Sequence, residues 1–421
     1  MTRSHPVDAV LDRRLCSGCG ACAYLGQDQG VRMVDFPTIG RRPVGVKQLP
    51  LITKDEIASV CPGVQVCSPG WGDKEPDENE VLVGPSKQIW EGWAADPEMR
   101  WLGSSGGVVT ALAAYCLERL GMALVVHTGM DPEKPWRNRT VISTDRRELM
   151  ANAGSRYTTS SPVEALRQIE ESDRPCVFVG KPCDVAAVAR LRRTRPRLDR
   201  NLGLVLSFFC AGTPMSSASV RLAGELGFSD PTEITSLRYR GYGWPGDFTI
   251  TDSSGERASL TYEESWGRLA SRQRQLRCQL CPDGLGELSD VTGGDAWHRK
   301  AEGTSGISLI LARTDRGQEV VEGAAAAGYL EVTLSGYDEV VASQGLVRRR
   351  KLVEARMAAL RTLLLPTPRF PGFRLSAASA QLTARTRVNE YVGTLRRAIR
   401  RGYLKLERPD DSPGASNRRG R

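Results

Sequence analysis

The chain has 421 residues and a formal net charge of +9, a length that suits two or three domains. Apolar residues make up 40% of the chain and charged residues 25%, which permits a buried core and excludes a wholly disordered protein. The sequence has no run of about 18 apolar residues and no apolar segment near its start. We therefore expect neither a transmembrane helix nor a secretion signal, and we expect a cytoplasmic protein.

The predicted elements divide the chain into three parts. Residues 1–82 are rich in Cys, Pro and Gly and weakly periodic, which predicts a small ferredoxin-like segment organised around metal. Residues 83–335 alternate between strand and helix patterns, which predicts an α/β core with a mixed sheet, or else an α+β fold. Residues 336–421 form a basic helical arm that ends in a tail expected to be disordered.

Several elements of the core are predicted in detail. A helix is expected over residues 108–120, after a Ser- and Gly-rich turn, and buried strands are expected over residues 176–180 and 203–209. A helix is predicted to follow the first of these strands directly. Two capping boxes are predicted, one by Asp145 with Glu148 and one by Ser161 with Glu164.

The positive charge is concentrated in the arm. Residues 348–421 hold 19 Lys and Arg against five Asp and Glu, so the remainder of the chain carries a net charge of −5. Such an arm is able to dock an acidic protein, a membrane surface or nucleic acid, although a solvated Arg-rich tail is the simplest interpretation. No nucleic-acid motif with interleaved aromatic residues accompanies the charge.

The first metal motif is the ferredoxin-type run CSGCGAC. Its three cysteines are Cys16, Cys19 and Cys22. A remote Cys-Pro pair at Cys61 supplies a fourth ligand for one 4Fe-4S cluster, with Cys67 as the rival. Gly18 and Gly20 allow the loop to curl around a cube. A zinc site of four cysteines is the alternative, but this spacing is awkward for tetrahedral zinc.

A second pair of cysteines is followed by proline near residue 281 and needs partners from elsewhere in the chain. Carboxyl ends of adjacent strands meet in one crevice, and two single cysteines follow neighbouring predicted strands. The second predicted cluster therefore uses Cys183, Cys210, Cys278 and Cys281. Cys116 and Cys176 are interpreted as small core residues.

A flavin or nucleotide site is predicted at the start of the 108–120 helix. Unpaired N–H groups at a helix N-terminus suit a pyrophosphate, although a plain helix cap is also compatible with the pattern. The candidate cofactor-binding residues are Ser104, Ser105, Gly106, Gly107, Ser155, Arg156, Tyr157 and Lys181. The sequence has neither a G-x-G-x-x-G fingerprint nor a P-loop, which argues against an ordinary NAD or ATP enzyme.

Seven motifs occur together in one order along the chain. They are GSSGG at 103–107, GSRY at 154–157, GKPCD at 180–184, FFCAGTP at 208–214, RYRGYGWPG at 238–246, CQLCPDGLGELSD at 278–290 and GDAW at 294–297. This set resembles the coenzyme F420 hydrogenase/dehydrogenase beta-subunit family, over roughly residues 10–335. The family includes ferredoxin-dependent reductases of divinyl-chlorophyllide and of 7-hydroxymethyl chlorophyll a. The resemblance implies FAD, a nearby 4Fe-4S cluster held by the second set of cysteines, and a single N-terminal cluster because residue 26 is Gly.

These features predict an oxidoreductase that passes electrons from a one-electron donor, reduced ferredoxin, through two 4Fe-4S clusters to FAD and on to a small organic acceptor. The candidate catalytic residues are Arg156, Lys181 and His298. Arg238 and Arg240 are further cations for the flavin or an acidic substrate, and the aromatic candidates for stacking are Tyr242, Trp244 and Trp297. The alternatives are an enzyme whose substrate is F420 itself, an electron-relay subunit of a hydrogenase or dehydrogenase, and a zinc-stabilised binding module.

Overall fold

A computed structural model describes residues 4–270, 274–300 and 305–407. Thirteen strands form in these parts of the chain. They are β1 (Arg32–Phe36), β2 (Gly40–Val44), β3 (Gln88–Ala94), β4 (Val125–Met130), β5 (Asn138–Ser143), β6 (Cys176–Gly180), β7 (Leu202–Phe208), β8 (Ile234–Arg238), β9 (Phe248–Asp252), β10 (Arg257–Leu260), β11 (Val291–Asp295), β12 (Ser308–Ala312) and β13 (Leu330–Ser335).

Eighteen α-helices form in the same parts of the chain, and none of them is long and apolar enough to cross a membrane. They are α1 (Pro6–Asp12), α2 (Ala21–Gly26), α3 (Leu51–Val60), α4 (Glu78–Val83), α5 (Pro97–Leu102), α6 (Val108–Glu118), α7 (Arg146–Ala151), α8 (Leu166–Glu170), α9 (Pro182–Leu191), α10 (Pro196–Asn201), α11 (Ser216–Glu225), α12 (Tyr262–Ala270), α13 (Leu276–Gln279), α14 (Asp315–Ala326), α15 (Tyr337–Ser343), α16 (Val347–Thr362), α17 (Leu375–Ala380) and α18 (Ala384–Arg400).

The core is an eight-stranded mixed sheet with the order β13-β3-β12-β11-β7-β6-β4-β5. The pairs β4–β6, β6–β7 and β7–β11 are parallel, and the outer pairs are antiparallel. The predicted α/β class with a mixed sheet is thereby confirmed. The carboxyl ends of four parallel strands meet the start of β12 at one edge of the sheet, where ligands of open α/β sheets usually bind.

The strand-to-helix unit β6–α9 forms where the sequence predicts it. Residues 176–178 are fully buried, as expected of a central parallel strand. Pro182 starts the helix, where its missing N–H costs nothing. This unit places Cys183 in the first turn of α9, at the carboxyl edge of the sheet.

One predicted capping box is wrong. Ser161 makes no capping hydrogen bond, and only a short 3-10 turn, Pro162–Ala165, follows it. Its hydroxyl instead donates to the carbonyl of Gly18 at 2.7 Å and accepts from Arg41 at 2.8 Å. Glu164 bonds the guanidinium of the same Arg41 at 3.3 Å, because β2 packs there and supplies a stronger partner than the backbone. At the other predicted box, Asp145 does cap α7 by accepting from the N–H of Glu148 at 2.8 Å.

Two small sheets flank the main one. Strands β8, β9 and β10 form an antiparallel sheet that packs with α11 and α12 around Phe248 and Leu222. Strands β1 and β2 form a hairpin in the N-terminal segment. Helix α12 is described as far as Ala270, and a separate helix, α13, begins at Leu276 after the non-helical residues Arg274 and Gln275.

The C-terminal arm is packed against the body of the protein over residues 347–403. One buried cluster joins Val10 and Leu15 near the start of the chain to Val353, Met357 and Tyr403 near its end. The interpretation of a solvated Arg-rich tail is therefore wrong for this part of the arm. The tail over residues 410–421 lies outside the described residues, and the division at residues 82 and 335 stays a prediction.

Candidate functional site

The first set of thiols lies in the loop before α2 and at the end of α3. Cys16, Cys19 and Cys61 are buried, and Cys22 is half-buried. Gly20 adopts φ of +101°, and a Cβ there would lie 2.7 Å from the N–H nitrogen of Glu164. The tight curl that the motif predicts therefore depends on glycine at this position.

The thiols of the first set lie close enough to repel one another when ionised. Burial raises the pKa of Cys61 to about 11, and the neighbouring thiol of Cys16 raises it further. Burial also raises the pKa of Cys22, and the neighbouring thiols of the same set contribute to the rise. Thiols held neutral by burial become thiolates when a metal supplies compensating positive charge.

Cys67, the rival fourth ligand, lies outside this set. It is half-buried, and its sulfur accepts a hydrogen bond from the side-chain amide of Gln65 at 2.9 Å. The geometry therefore groups Cys61, and not Cys67, with the three cysteines of the motif.

The second set of thiols meets at the carboxyl edge of the main sheet. One cavity is lined by all four predicted cysteines, which are Cys183, Cys210, Cys278 and Cys281. Burial raises the pKa of Cys210 to about 12, with a further contribution from Cys278. The N–H of Thr213 donates to the sulfur of Cys278 at 3.4 Å, a contact that stabilises negative charge on that atom.

Cations surround the second set. Arg277 and Arg349 line the same cavity, and both act electrostatically on its thiols. Lys181 is buried, and its Nζ bonds Asp184 at 2.6 Å and the hydroxyl of Ser160 at 2.8 Å. Burial opposes the charge on Lys181, but Asp184 and the nearby thiols raise its pKa above the ordinary value.

The two sets of thiols are neighbours. The guanidinium of Arg277 donates twice to the carbonyl of Pro62, at 3.1 and 3.0 Å, directly after Cys61. The same guanidinium is 2% exposed and stabilises charge on Cys281. Ser17, inside the first motif, lines the cavity of the second set. Sequence reasoning missed Arg277, although its position one residue before Cys278 was the available signal.

The donor set fits the predicted clusters. Four thiols that line one cavity offer one thiolate to each iron of a 4Fe-4S cluster. No group of three or more His, Cys, Asp or Glu side chains in the described ranges is placed to hold a single metal ion. Cys116 and Cys176 are fully buried in apolar clusters, as expected, and neither lines the cavity of the second set.

The Ser–Gly turn predicted to hold a pyrophosphate lies at the same edge of the sheet but is largely occupied by its own contacts. The hydroxyl of Ser105 bonds Ser308 at 2.8 Å, and the N–H of Gly106 donates to Ser308 at 2.9 Å. Ser104 accepts from the N–H of Ser155 at 2.5 Å. Gly107 has φ of +75° and precedes α6, whose first turn has no side-chain cap. The backbone N–H groups of that turn are what the site offers to an anion.

The guanidinium of Arg156 makes four hydrogen bonds within the fold. It is bound to the side chain of Asn138 at 3.0 Å and to the carbonyls of Leu237, Pro135 and Arg137 at 2.5 to 3.1 Å. Tyr157 packs its ring against Tyr239, which directly follows β8, and against Trp266 of α12. These contacts join the small sheet to β5, so they orient the Ser155 turn beside Ser104.

A cluster of aromatic rings surrounds a buried ion pair near the end of β11. Arg240 binds both carboxylate oxygens of Asp295, at 2.9 and 2.7 Å. Trp297 stacks on Trp244 and on Tyr262, with ring centroids 5.6 and 5.2 Å apart. These rings are therefore engaged with one another. Sequence reasoning missed Asp295 and Tyr262, since neither stands out without its partner.

Two further candidates lie nearby. His298 pairs with Glu91 on β3, with 2.7 Å between Nε2 and Oε1. Arg238 covers the ring of Tyr242 at 3.8 Å from the centroid, and Tyr242 is 54% exposed. The catalytic roles expected of Arg156, Lys181 and His298 stay predictions.

Thiols, cations and aromatic rings at one edge of a mixed α/β sheet are typical of a redox protein. Two family models match the chain. They are the coenzyme F420 hydrogenase/dehydrogenase beta subunit N-terminal model over residues 89–167 and the corresponding C-terminal model over residues 173–335. Together they span more than half of the sequence, so the chain belongs to the coenzyme F420 hydrogenase/dehydrogenase beta-subunit family. The resemblance carried by the motifs is confirmed.

Individual proteins agree with this family. The coenzyme F420 hydrogenase subunit beta of Methanothermobacter thermautotrophicus is 27% identical over 302 residues, which are 68% of this chain and 100% of that protein. The F420-dependent formate dehydrogenase 1 subunit beta of Methanococcus maripaludis is 21% identical over 248 residues, 58% of this chain and 61% of that protein. Both are oxidoreductase subunits, and this chain is an oxidoreductase subunit by family.

A solved structure shares the fold. A chain from the F420-reducing NiFe hydrogenase complex of Methanosarcina barkeri superposes with a TM-score of 0.52 at 20% sequence identity. The match covers 66% of this chain and 94% of that chain.

Proposed function

We propose that this chain is an electron-transferring oxidoreductase subunit that carries two 4Fe-4S clusters and exchanges electrons with coenzyme F420 or with a partner subunit of a hydrogenase or dehydrogenase. One observation carries the proposal. Two sets of four thiols lie next to each other, with the guanidinium of Arg277 between them. Neighbouring clusters in one chain provide a route for single electrons.

Each cluster would have its own set of four cysteine ligands. Cys16, Cys19, Cys22 and Cys61 would hold the first cluster, and Cys183, Cys210, Cys278 and Cys281 the second. When bound, such clusters accept and release one electron at a time. Arg277 and Arg349 offset the negative charge of the thiolates in the second set, and the backbone N–H groups of Gly18 and Thr213 donate to sulfur at 3.4 Å.

A flavin at the same edge of the sheet is the second part of the proposal. Its support is the uncapped first turn of α6, which lies beside Ser104 and Ser155. The strand β12, which carries Ser308, is the second neighbour of β7 in the sheet and lies about 10 Å from it. Cys210 of the second set follows β7, so a flavin at this turn would lie near the second cluster. A bound flavin supplies the conversion between one-electron and two-electron chemistry.

The relatives of this chain bear on its electron partner. They favour F420 or a partner subunit over reduced ferredoxin. The named relatives are subunits of F420 hydrogenases and F420-dependent formate dehydrogenases. A partner subunit or F420 is therefore the better supported electron partner, and an organic acceptor reduced by ferredoxin is the weaker candidate.

Replacement of single cysteines tests the two clusters. In protein purified without oxygen, Cys281→Ser should remove about half of the iron and sulfide and leave the first cluster in place. Cys176→Ser is the matched control, since Cys176 belongs to neither predicted ligand set and its thiol donates to the carbonyl of Arg174 at 3.3 Å, a bond that Ser retains. Zinc in place of iron, or unchanged iron in Cys281→Ser, would contradict the proposal.

Rapid mixing tests the partner. Reduced F420 and reduced ferredoxin are mixed separately with the oxidised protein, and bleaching of the cluster and flavin absorbance is followed. We expect fast reduction by F420. Fast reduction by ferredoxin alone would favour ferredoxin as the electron donor. Whether the protein contains a flavin is decided independently, by denaturing it and identifying any released flavin by chromatography.

A further inference from the structure

A large cavity is lined by residues of the N-terminal segment and of the C-terminal arm, together with residues 274–276 of the core. Its volume is about 590 Å³. The residues that carry the argument are Arg14, Arg42, Arg274, Gln275, Arg400 and Arg401. A cavity of this size accommodates a ligand of metabolite size. No cysteine lines it, so it is separate from both sets of thiols.

The charge of the cavity is unbalanced. Five arginines line it, and Glu407 is the one acidic residue among the described residues of its wall. Glu407 is already engaged, because it accepts from Arg42 at 2.9 Å and from Arg14 at 3.4 Å. Among the described residues of the wall, most of the positive charge therefore has no carboxylate partner.

Two buried donors in the wall lack partners. The Nε2 of Gln275 and the Nε of Arg14 are inaccessible and make no hydrogen bond. Gln275 is 1% exposed, and its carbonyl oxygen is fixed by Arg42 at 3.1 Å, which leaves its amide group as a donor. Because neither atom is accessible to solvent, a ligand in the cavity would not reach them unless their side chains moved, so the case for a ligand rests on the positive charge of the wall.

Crowding among the cations points the same way. Burial lowers the pKa of Arg274, and the charges of Arg349, Arg356 and Arg401 lower it further. Like charges at close range are relieved by an anion among them. Guanidinium groups bind phosphate and carboxylate oxygens in pairs, which suits an anion with several oxygens.

We propose that this cavity binds a small polyanion that carries phosphate groups or several carboxylates. The proposal does not depend on the clusters or on the flavin. Arg42 acts on the charge of Cys16, and Arg274 on that of Cys278, so the bound anion would lie within electrostatic reach of both thiol sets.

Titration calorimetry on the full-length protein with its cofactors tests the proposal. The probes are inorganic pyrophosphate and citrate, with ionic strength held constant by chloride so that general screening does not differ between runs. We expect saturable binding of at least one probe. Pyrophosphate alone would assign a phosphate ligand, citrate alone a polycarboxylate, and the absence of saturable binding of both would overturn the proposal.

Single substitutions locate the binding. Arg274→Gln should raise the Kd for the bound probe about tenfold or more, as expected for the loss of one charge-assisted hydrogen bond. Arg400→Gln is a second variant on an exposed residue, where folding is not at risk. Arg193→Gln is the matched control, since Arg193 is exposed just after α9 and does not line the cavity, and it should leave the Kd unchanged. Equal affinity in Arg400→Gln and the control, with Arg274→Gln folded and also unchanged, would refute the site.

Discussion

Cys61 and Cys67 compete for the fourth place in the first set of thiols, and they differ in burial and in neighbours. Cys61 is 8% exposed and interacts with Cys16, whereas Cys67 is bonded to Gln65. The spacing to the motif allows either cysteine, so only the fold separates them. The preference follows from the end of α3, which directs Cys61 toward the motif.

Substitution of each cysteine in turn checks this preference. Cys61→Ser should lower the iron content by about half, because one 4Fe-4S cluster loses a ligand. Cys67→Ser should leave the iron content unchanged, and iron analysis of the two purified variants measures the difference. The reverse pattern would show that Cys67 is the ligand.

His127 on β4 should make folding sensitive to acid. It is buried and pairs with the hydroxyl of Ser143 at 2.7 Å, and burial lowers its pKa to about 4 from the ordinary 6.5. The unfolded chain therefore binds a proton that the folded protein excludes between these pH values. The free energy of unfolding should fall as the pH drops from about 6.5 to about 4, by at most about 3 kcal/mol from this group.

Denaturant unfolding of wild type and His127→Gln across that pH range measures the effect. The difference in stability between the two proteins should shrink as the pH falls, since glutamine does not titrate there. A difference that is independent of pH would contradict the assignment.

At the scale of elements, helix α16 shows how a basic stretch becomes part of the core. Arg350 donates to the carbonyls of Val81 and Pro282 and pairs with Glu287, and all of these groups are buried. Its neighbour Arg348 is exposed. Composition alone gives both arginines the same expectation, which is why the packed position of this helix was not predictable from sequence. The unit β6–α9, by contrast, was predictable, because an apolar run followed by Pro182 has few other solutions.

The pair of arginines on α16 makes this difference measurable. Arg350→Ala should destabilise the protein by about 3 to 5 kcal/mol, because the carboxylate of Glu287 is left buried without its partner. Arg348→Ala is the matched control on the same helix and should change the stability by less than about 0.5 kcal/mol. Equal stability of the two variants in urea unfolding would contradict the buried pair.

At the scale of the whole molecule, the two ends of the chain complete each other. The N–H of Glu407 donates to the carbonyl of Asp12 at 2.8 Å, and Cys16 and Cys61 share a buried cluster with Val353 and Phe373. The motifs predicted the family, the sheet and the two groups of cysteines. They did not predict this closure, because the pairing of distant amphipathic segments leaves no local pattern.

Removal of the arm therefore tests packing and not only charge. Deletion of residues 346–421 should lower both the iron content and the thermal stability. The deletion exposes the apolar side chains packed around Cys16, and it removes Arg349 from the cavity of the second set of thiols. A triple variant that replaces exposed arginines of α18 with glutamine keeps the packing and removes charge. The positions are Arg385, Arg387 and Arg396. Similar losses in both proteins would show that charge is the dominant contribution of the arm.

The hydrogen bond between Asp12 and Glu407 also bears on the order in which the protein folds and acquires iron during biosynthesis. The first thiols leave the ribosome early, but the helices that cover them are translated last. The loop that carries Cys16 must therefore remain open to solvent and to iron delivery until translation is nearly complete. Iron delivery to these thiols is consequently expected to precede the packing of α18 and of Glu407 against the N-terminal segment, with that packing as the last step.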